Sequence, residues 1–221
     1  MANLQKIRDG KRTYGITPHI PGGFITADAL IRIGEVTKKY NGVLKITSGQ
    51  RILITNLELE DIPQIWEELG MKPAVVEQNS VKNVEMCPAN FCKRAKQNSM
   101  PLSMKLSKKY QWESMPCRTK IGVCGCRNAC GSVYSKDVGV IGDKEGYMVT
   151  AGGSAGFHPR QADILATNLS EVETMNLVDK LMEYYKEQAE PGEKLGFMLD
   201  RIGIEMVKKD LGLSWQGDTH L

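Results

Sequence analysis

All six cysteines of this 221-residue chain fall between positions 87 and 130. They are Cys87, Cys92, Cys117, Cys124, Cys126 and Cys130. A chain of this length can bury enough apolar surface to fold without disulfides. Residues 1–6 are polar and carry no apolar signal core, which points to the cytoplasm. Thiols stay reduced there, so clustering of this kind implies metal or redox chemistry.

The cysteines offer two short-spaced pairs. The first is Cys87-Pro-Ala-Asn-Phe-Cys92; the second is Cys126-Arg-Asn-Ala-Cys130, between Gly125 and Gly131. Such pairs suit either zinc or an iron–sulfur cluster. Zinc knuckles favour two intervening residues, which close a tight turn around one ion. The wider loops here suit a cluster with its own bulk. Gly122, Gly125 and Gly131 also leave room for backbone N–H groups to approach its sulfides. Spacing leaves open which four thiols ligate, because Cys117 and Cys124 are either competing ligands or small buried apolar residues.

A net charge of +3 is too small to argue for nucleic acid. Lys105, Lys108, Lys109, Arg118, Lys120 and Arg127 nevertheless lie among the cysteines. They form either a solvated basic face or a pocket for an anionic cofactor and substrate. A zinc-stabilised nucleic-acid module is the competing reading. No run of about 18 apolar residues exists, so no membrane span is expected. The glycine-rich stretch 151–156 lacks G-x-G-x-x-G spacing, which argues against a dinucleotide site.

Patterning predicts a helix capped by Thr26 through Leu30, Ile33, Val36 and Thr37 to about Tyr40. Strands are expected at 44–46 and 52–54, and a second helix at 61–69 ending at Gly70. His19 and Ile20 stand at a strand end before the turn Pro21-Gly22-Gly23. The sum is a small α+β unit with helices on one face of an antiparallel sheet. Beyond it, 71–86 reads as a connection, about 98–110 as a helix, and 120–123 as a strand. A hairpin is expected at 138–141 and 147–150. The end reads as helices at 170–186 and 192–211.

Five ordered segments then resemble one family, the siroheme-containing nitrite and sulfite reductases. They are Tyr14 to Gly23; Lys45-Ile-Thr47-Ser-Gly-Gln50-Arg51; Cys92 to Ser99; Lys120-Ile-Gly-Val-Cys124-Gly-Cys126 through Cys130; and Asp137 to Gly142 with Gly152 to Arg160. The likeness covers nearly the whole chain. It is similar both to small assimilatory-type sulfite reductases and to the siroheme module of NAD(P)H nitrite reductase large subunits. One departure concerns the first pair, C-x5-C in the family and C-x4-C here. If the tighter loop keeps Cys87 from reaching, Cys124 or Cys117 is the substitute.

The resemblance implies an α+β fold. A ferredoxin-like half-domain at 1–75 precedes an α/β siroheme and [4Fe–4S] domain at 76–221. It implies Cys87, Cys92, Cys126 and Cys130 as cluster ligands, with Cys130 shared with siroheme iron. Thr47, Gln50, Arg51 and Arg160 are the implied siroheme contacts. Arg118, Lys120 and His19 are the implied groups that bind the anion and supply protons. The implied activity is six-electron reduction of sulfite to sulfide. The alternatives are nitrite reduction to ammonia and electron transfer without turnover. An external donor, a ferredoxin or a reductase subunit, is required. Larger members carry the module twice and this chain once, which implies a homo-oligomer in which Arg118 and Lys120 serve a neighbour's siroheme.

Overall fold

The computed structural model describes residues 2–8 and 10–213 and divides into two units, Met1–Val76 and Glu77–Leu221. In the first unit, β1 (Asn3–Arg8), β2 (Lys11–Ile16), β3 (Val43–Ile46) and β4 (Ile52–Leu57) form an antiparallel sheet ordered β1-β2-β4-β3. Helix α1 (Ala27–Lys39) begins where the Thr26 hydroxyl accepts the Ala29 N–H. Helix α2 (Ile62–Leu69) closes at Gly70, as its apolar spacing requires. Ile33 and Val36 of α1 share a core with Ile62, Ile65 and Leu69 of α2 and with Ile16, Ile54 and Leu57 of the sheet.

The second unit holds a mixed sheet, ordered β5 (Val81–Met86), β6 (Thr119–Cys124), β7 (Val138–Asp143), β8 (Gly146–Ala151) and β9 (Asp163–Leu169). β5, β6 and β7 pair in parallel; β7, β8 and β9 pair antiparallel. Helix α3 (Met100–Tyr110) lies between β5 and β6 in the chain, and α4 (Glu171–Gln188), α5 (Leu195–Ile202) and α6 (Ile204–Asp210) follow β9. Strand alternation decides the faces. Ile121, Val123, Val138, Val140 and Val149 join Leu102, Leu106, Leu181 and Leu199 of the helices in one apolar core. The intervening Cys124, Ile141 and Met148 turn the other way and meet Val133.

The fold is α+β as the pattern and the resemblance imply, with corrections in detail. The stretch 71–86, expected as a connection, contains β5, which is buried along its whole length. Its Lys82, Asn83 and Glu85 disguise a strand covered on both faces. β1 and β9 are further strands that alternation did not reveal. The expected helix 192–211 is two helices, because Gly203 at φ 90° interrupts it.

Candidate metal centre

The two cysteine pairs meet because β5 and β6 are parallel neighbours, so their C-terminal ends deliver both loops to one edge. Met86 pairs with Val123, and the Cys87 N–H donates to Val123 O at 3.0 Å. Gly125, next along, donates its N–H to Cys87 Sγ at 3.2 Å. Its carbonyl accepts from Lys96 and Gln97 N–H at 2.7 and 3.1 Å. A Cβ on Gly125 would lie 2.8 Å from both Ala89 Cβ and Gln97 O, and one on Gly142 would lie 2.8 Å from the Gly125 backbone. Only glycine fits where these loops touch.

The shortened first loop folds as a single 3-10 turn, Ala89–Phe91, with Cys92 N–H donating to Ala89 O at 3.0 Å. Cys87 thus keeps its place at the Gly125 N–H, just before the second pair, while Cys92 ends the turn exposed. In the second loop Ala129 takes φ 44° and Asn128 Nδ2 donates to Cys130 Sγ at 2.9 Å. Cys124 is 1% exposed and donates its thiol hydrogen to Cys126 O at 3.2 Å. Burial pushes its pKa up to about 12, and Cys87, Cys126 and Cys130 add to that. It sits among the other thiols but in an apolar nest, as a buried small residue does. Cys117 is half-buried, and its carbonyl accepts the Thr119 hydroxyl at 2.9 Å at the other end of β6.

The cationic pair lies at the start of β6, Arg118 just before the strand and Lys120 on it. Arg118 is exposed and Lys120 half-buried, with the Lys120 N–H on Asp137 Oδ2 at 2.8 Å. Burial, and then the charges of Arg118 and Lys136, hold the Lys120 ammonium below the ordinary lysine range. Arg160 is tied within its own unit. Its guanidinium donates to Asp200 at 2.8 to 3.2 Å, to Asp163 at 2.5 Å and to Gly152 O at 3.2 Å. Sequence reasoning missed the buried Lys136–Glu85 pair at 2.6 Å, for which no spacing gives a signal. It also missed Asn128, whose place between two cysteines was the available clue.

In the first unit, Thr47, Gln50 and Arg51 form the β3–β4 turn. The Thr47 hydroxyl donates to Arg51 O at 3.0 Å and accepts the Arg51 N–H at 3.3 Å. Gln50 takes φ 57°, and its Cβ lies 3.2 Å from where a Cβ on Gly23 would stand. The Pro21-Gly22-Gly23 turn and the Thr47–Arg51 turn thus abut. His19 is half-buried, and burial, then Arg51 and Lys72, push its pKa below the usual imidazole value.

The thiols fit an iron–sulfur cluster: they are soft ligands on two facing loops, and two of the sulfurs already accept N–H donors. Among the described residues, no three His, Cys, Asp or Glu groups gather tightly enough for a lone metal ion. A cluster spreads its ligands more widely. Within the second unit, Arg118 and Lys120 are cations of the kind that an anionic cofactor or substrate needs.

Comparison with known proteins agrees. The family described as nitrite and sulphite reductase 4Fe-4S domain matches residues 77–218. The nitrite/sulfite reductase ferredoxin-like half domain matches residues 5–72. An assimilatory-type sulfite reductase from Nitratidesulfovibrio vulgaris is 33% identical over 201 residues, covering 90% of this chain and 92% of that protein. The large subunit of a Klebsiella oxytoca NAD(P)H nitrite reductase is 32% identical over 214 residues, 94% of this chain but 22% of that protein. The fold also matches the crystal structure of dissimilatory sulfite reductase I, with TM-score 0.82 and 14% identity over 95% of this chain and 72% of that one. The chain belongs to the nitrite and sulphite reductase family, whose cofactors are siroheme and a [4Fe–4S] cluster.

Proposed function

We propose that this chain reduces sulfite to sulfide in six one-electron steps, in the cytoplasm, with electrons from an external donor. The observation that carries this reading is the match to an assimilatory-type sulfite reductase over 90% of this chain and 92% of that protein, joined to the facing thiol loops. Cys87, Cys92, Cys126 and Cys130 would hold the cluster, with Cys130 as the thiolate shared with siroheme iron. Thr47, Gln50 and Arg51 would hold siroheme carboxylates. Arg160, already committed to Asp163 and Asp200, would fix the loop that follows Gly152. When bound, the cofactor pair supplies an iron that takes the anion and a store of electrons beside it.

The remaining chemistry belongs to side chains. Arg118 offsets the anion's negative charge. Lys120, its proton held less tightly than in an ordinary lysine, donates from Nζ to an oxygen that leaves as water. His19, whose imidazole burial holds below its usual range, serves as a hydrogen-bond donor to the anion or cofactor. The exposed Lys93, Arg94, Lys96 and Arg127 surround a cavity of about 490 Å³ beside Cys126. That rim suits an acidic donor such as a ferredoxin or a reductase subunit. The active form is a homo-oligomer, which light scattering showing only active monomer would rule out.

An anaerobic absorption spectrum with iron and acid-labile sulfide counts tests the cofactors. With reduced viologen as donor, kcat/KM is expected to be higher for sulfite than for nitrite; the reverse order would overturn the substrate assignment in favour of nitrite. Arg118→Ala and Lys120→Ala are each expected to lower kcat/KM by roughly 10²–10³. Unchanged rates would remove Arg118 and Lys120 from the site, and a loaded protein that turns over neither anion would favour electron transfer without turnover.

A further inference from the structure

The sheet face that carries Cys124 also holds a buried ion pair to which the mechanism gives no task. Lys136 Nζ meets Glu85 Oε2 at 2.6 Å, with the two side chains 10% and 4% exposed. Glu85 stands in register with Gly122, and the Lys136 stem lies over that glycine, where a Cβ would come within 2.8 Å of Lys136 Cγ. The missing side chain at 122 is thus the slot through which Lys136 reaches Glu85. The other carboxylate oxygen, Glu85 Oε1, is buried and makes no hydrogen bond.

Stability does not explain this arrangement. Apolar residues of similar volume do as well as a buried ion pair or better, and a carboxylate oxygen without a donor is a further penalty. Its neighbour supplies the explanation. Lys120 precedes Gly122 by two residues, so both face the same side of β6. The charges acting on Lys120 come from every side: Arg118 from the preceding loop, Glu85 from β5, and Lys136 and Asp137 from the entrance to β7. Lys194 acts on Asp137 in turn, at 3.8 Å. The cations and burial weaken the hold of Lys120 on its proton, and the two carboxylates oppose them.

We infer that Glu85 and Lys136 are positioning residues for Lys120: held together over Gly122 on the strand face that Lys120 shares, they set one carboxylate and one cation in fixed places beside it. The inference rests on the role given to Lys120 above. In each protonation an N–H bond of Lys120 breaks as an O–H bond forms on the departing oxygen, and the amine left behind regains a proton from water. The Glu85 carboxylate favours that recharging; Lys136 both anchors the carboxylate and limits its pull.

Holoenzyme and its Glu85→Gln and Lys136→Met variants provide the test, on two readouts. One is the pH profile of kcat/KM for sulfite with reduced viologen. The other, independent of turnover, is competitive acetylation of Lys120 by acetic anhydride, read by peptide mass spectrometry across pH. Lys120 works protonated, so activity falls as pH rises through its pKa. Glu85→Gln keeps the side-chain shape and removes the charge, so the alkaline limb and the labelling midpoint are both expected to fall by about one pH unit. Lys136→Met removes the opposing cation and moves both upward; it decides the matter alone should Glu85→Gln not fold. Limbs and midpoints unmoved in both variants overturn the inference, as does a uniform activity loss at every pH with the midpoint fixed. If the unmodified enzyme turns over neither sulfite nor nitrite while the midpoints still shift, the reductase reading fails and the coupling of Glu85 to Lys120 stands.

Discussion

The two faces of the five-stranded sheet in the second unit share strands but not rules. Toward α3 to α6, successive inward positions are Ile121, Val123, Val138, Val140 and Val149, all packed against helix side chains. On the opposite face the same strands present Lys120, Gly122, Cys124 and Glu85, where charge, bare backbone and thiol stand in place of apolar volume. Period-two alternation lets one strand serve both purposes. The helix-covered face carries the stability that lets its other side hold groups that stabilise poorly.

That division can be broken most severely at the cysteines. Cys126→Ser is expected to abolish activity and bring iron and sulfide contents down, whereas Cys124→Ala keeps both and costs about 1 kcal/mol of stability. Equal iron loss in the two variants would mean that Cys124 is a ligand and that the apolar nest has been misread. On the helix side, Leu181→Ala should destabilise by about 3 kcal/mol in denaturant titration, with the spectrum per folded molecule unchanged. A shifted spectrum there would show that the faces are not independent. The mildest change concerns the rim: Lys93→Glu with Arg94→Glu should slow reduction by an acidic protein donor about tenfold at low salt, and far less at high salt. Viologen-driven turnover should stay constant, separating docking from chemistry.

The cysteine pairs, the Thr26 cap, the β7–β8 hairpin and the first unit's helices were all readable from spacing. What escaped was whatever depends on partners distant in sequence. β5 reads as a polar connection because Lys82, Asn83 and Glu85 are buried by their neighbours, not by their own character. β9 hides behind irregular register with β8 and a left-handed Asn168 at φ 57°. The short first loop raises the question of whether Cys87 can reach; the parallel pairing of β5 with β6 sets Cys87 beside Gly125 by register and not by loop length. For the same reason no motif could announce Glu85 and Lys136, 51 residues apart.

The contact at Gly125 has a consequence for how the centre is filled. Its backbone is gripped at once by Cys87, Ala89, Gln97 and Gly142, from stretches joined by the sheet and not by iron. The contact between the loops is therefore made by the polypeptide's own backbone. Small zinc domains gather their ligands only as the ion binds, and so unfold when it is withdrawn. Here the loops are already joined by backbone contacts of the sheet, so withdrawal of iron and sulfide is expected to leave the fold of this unit in place, which far-UV circular dichroism of the apoprotein checks.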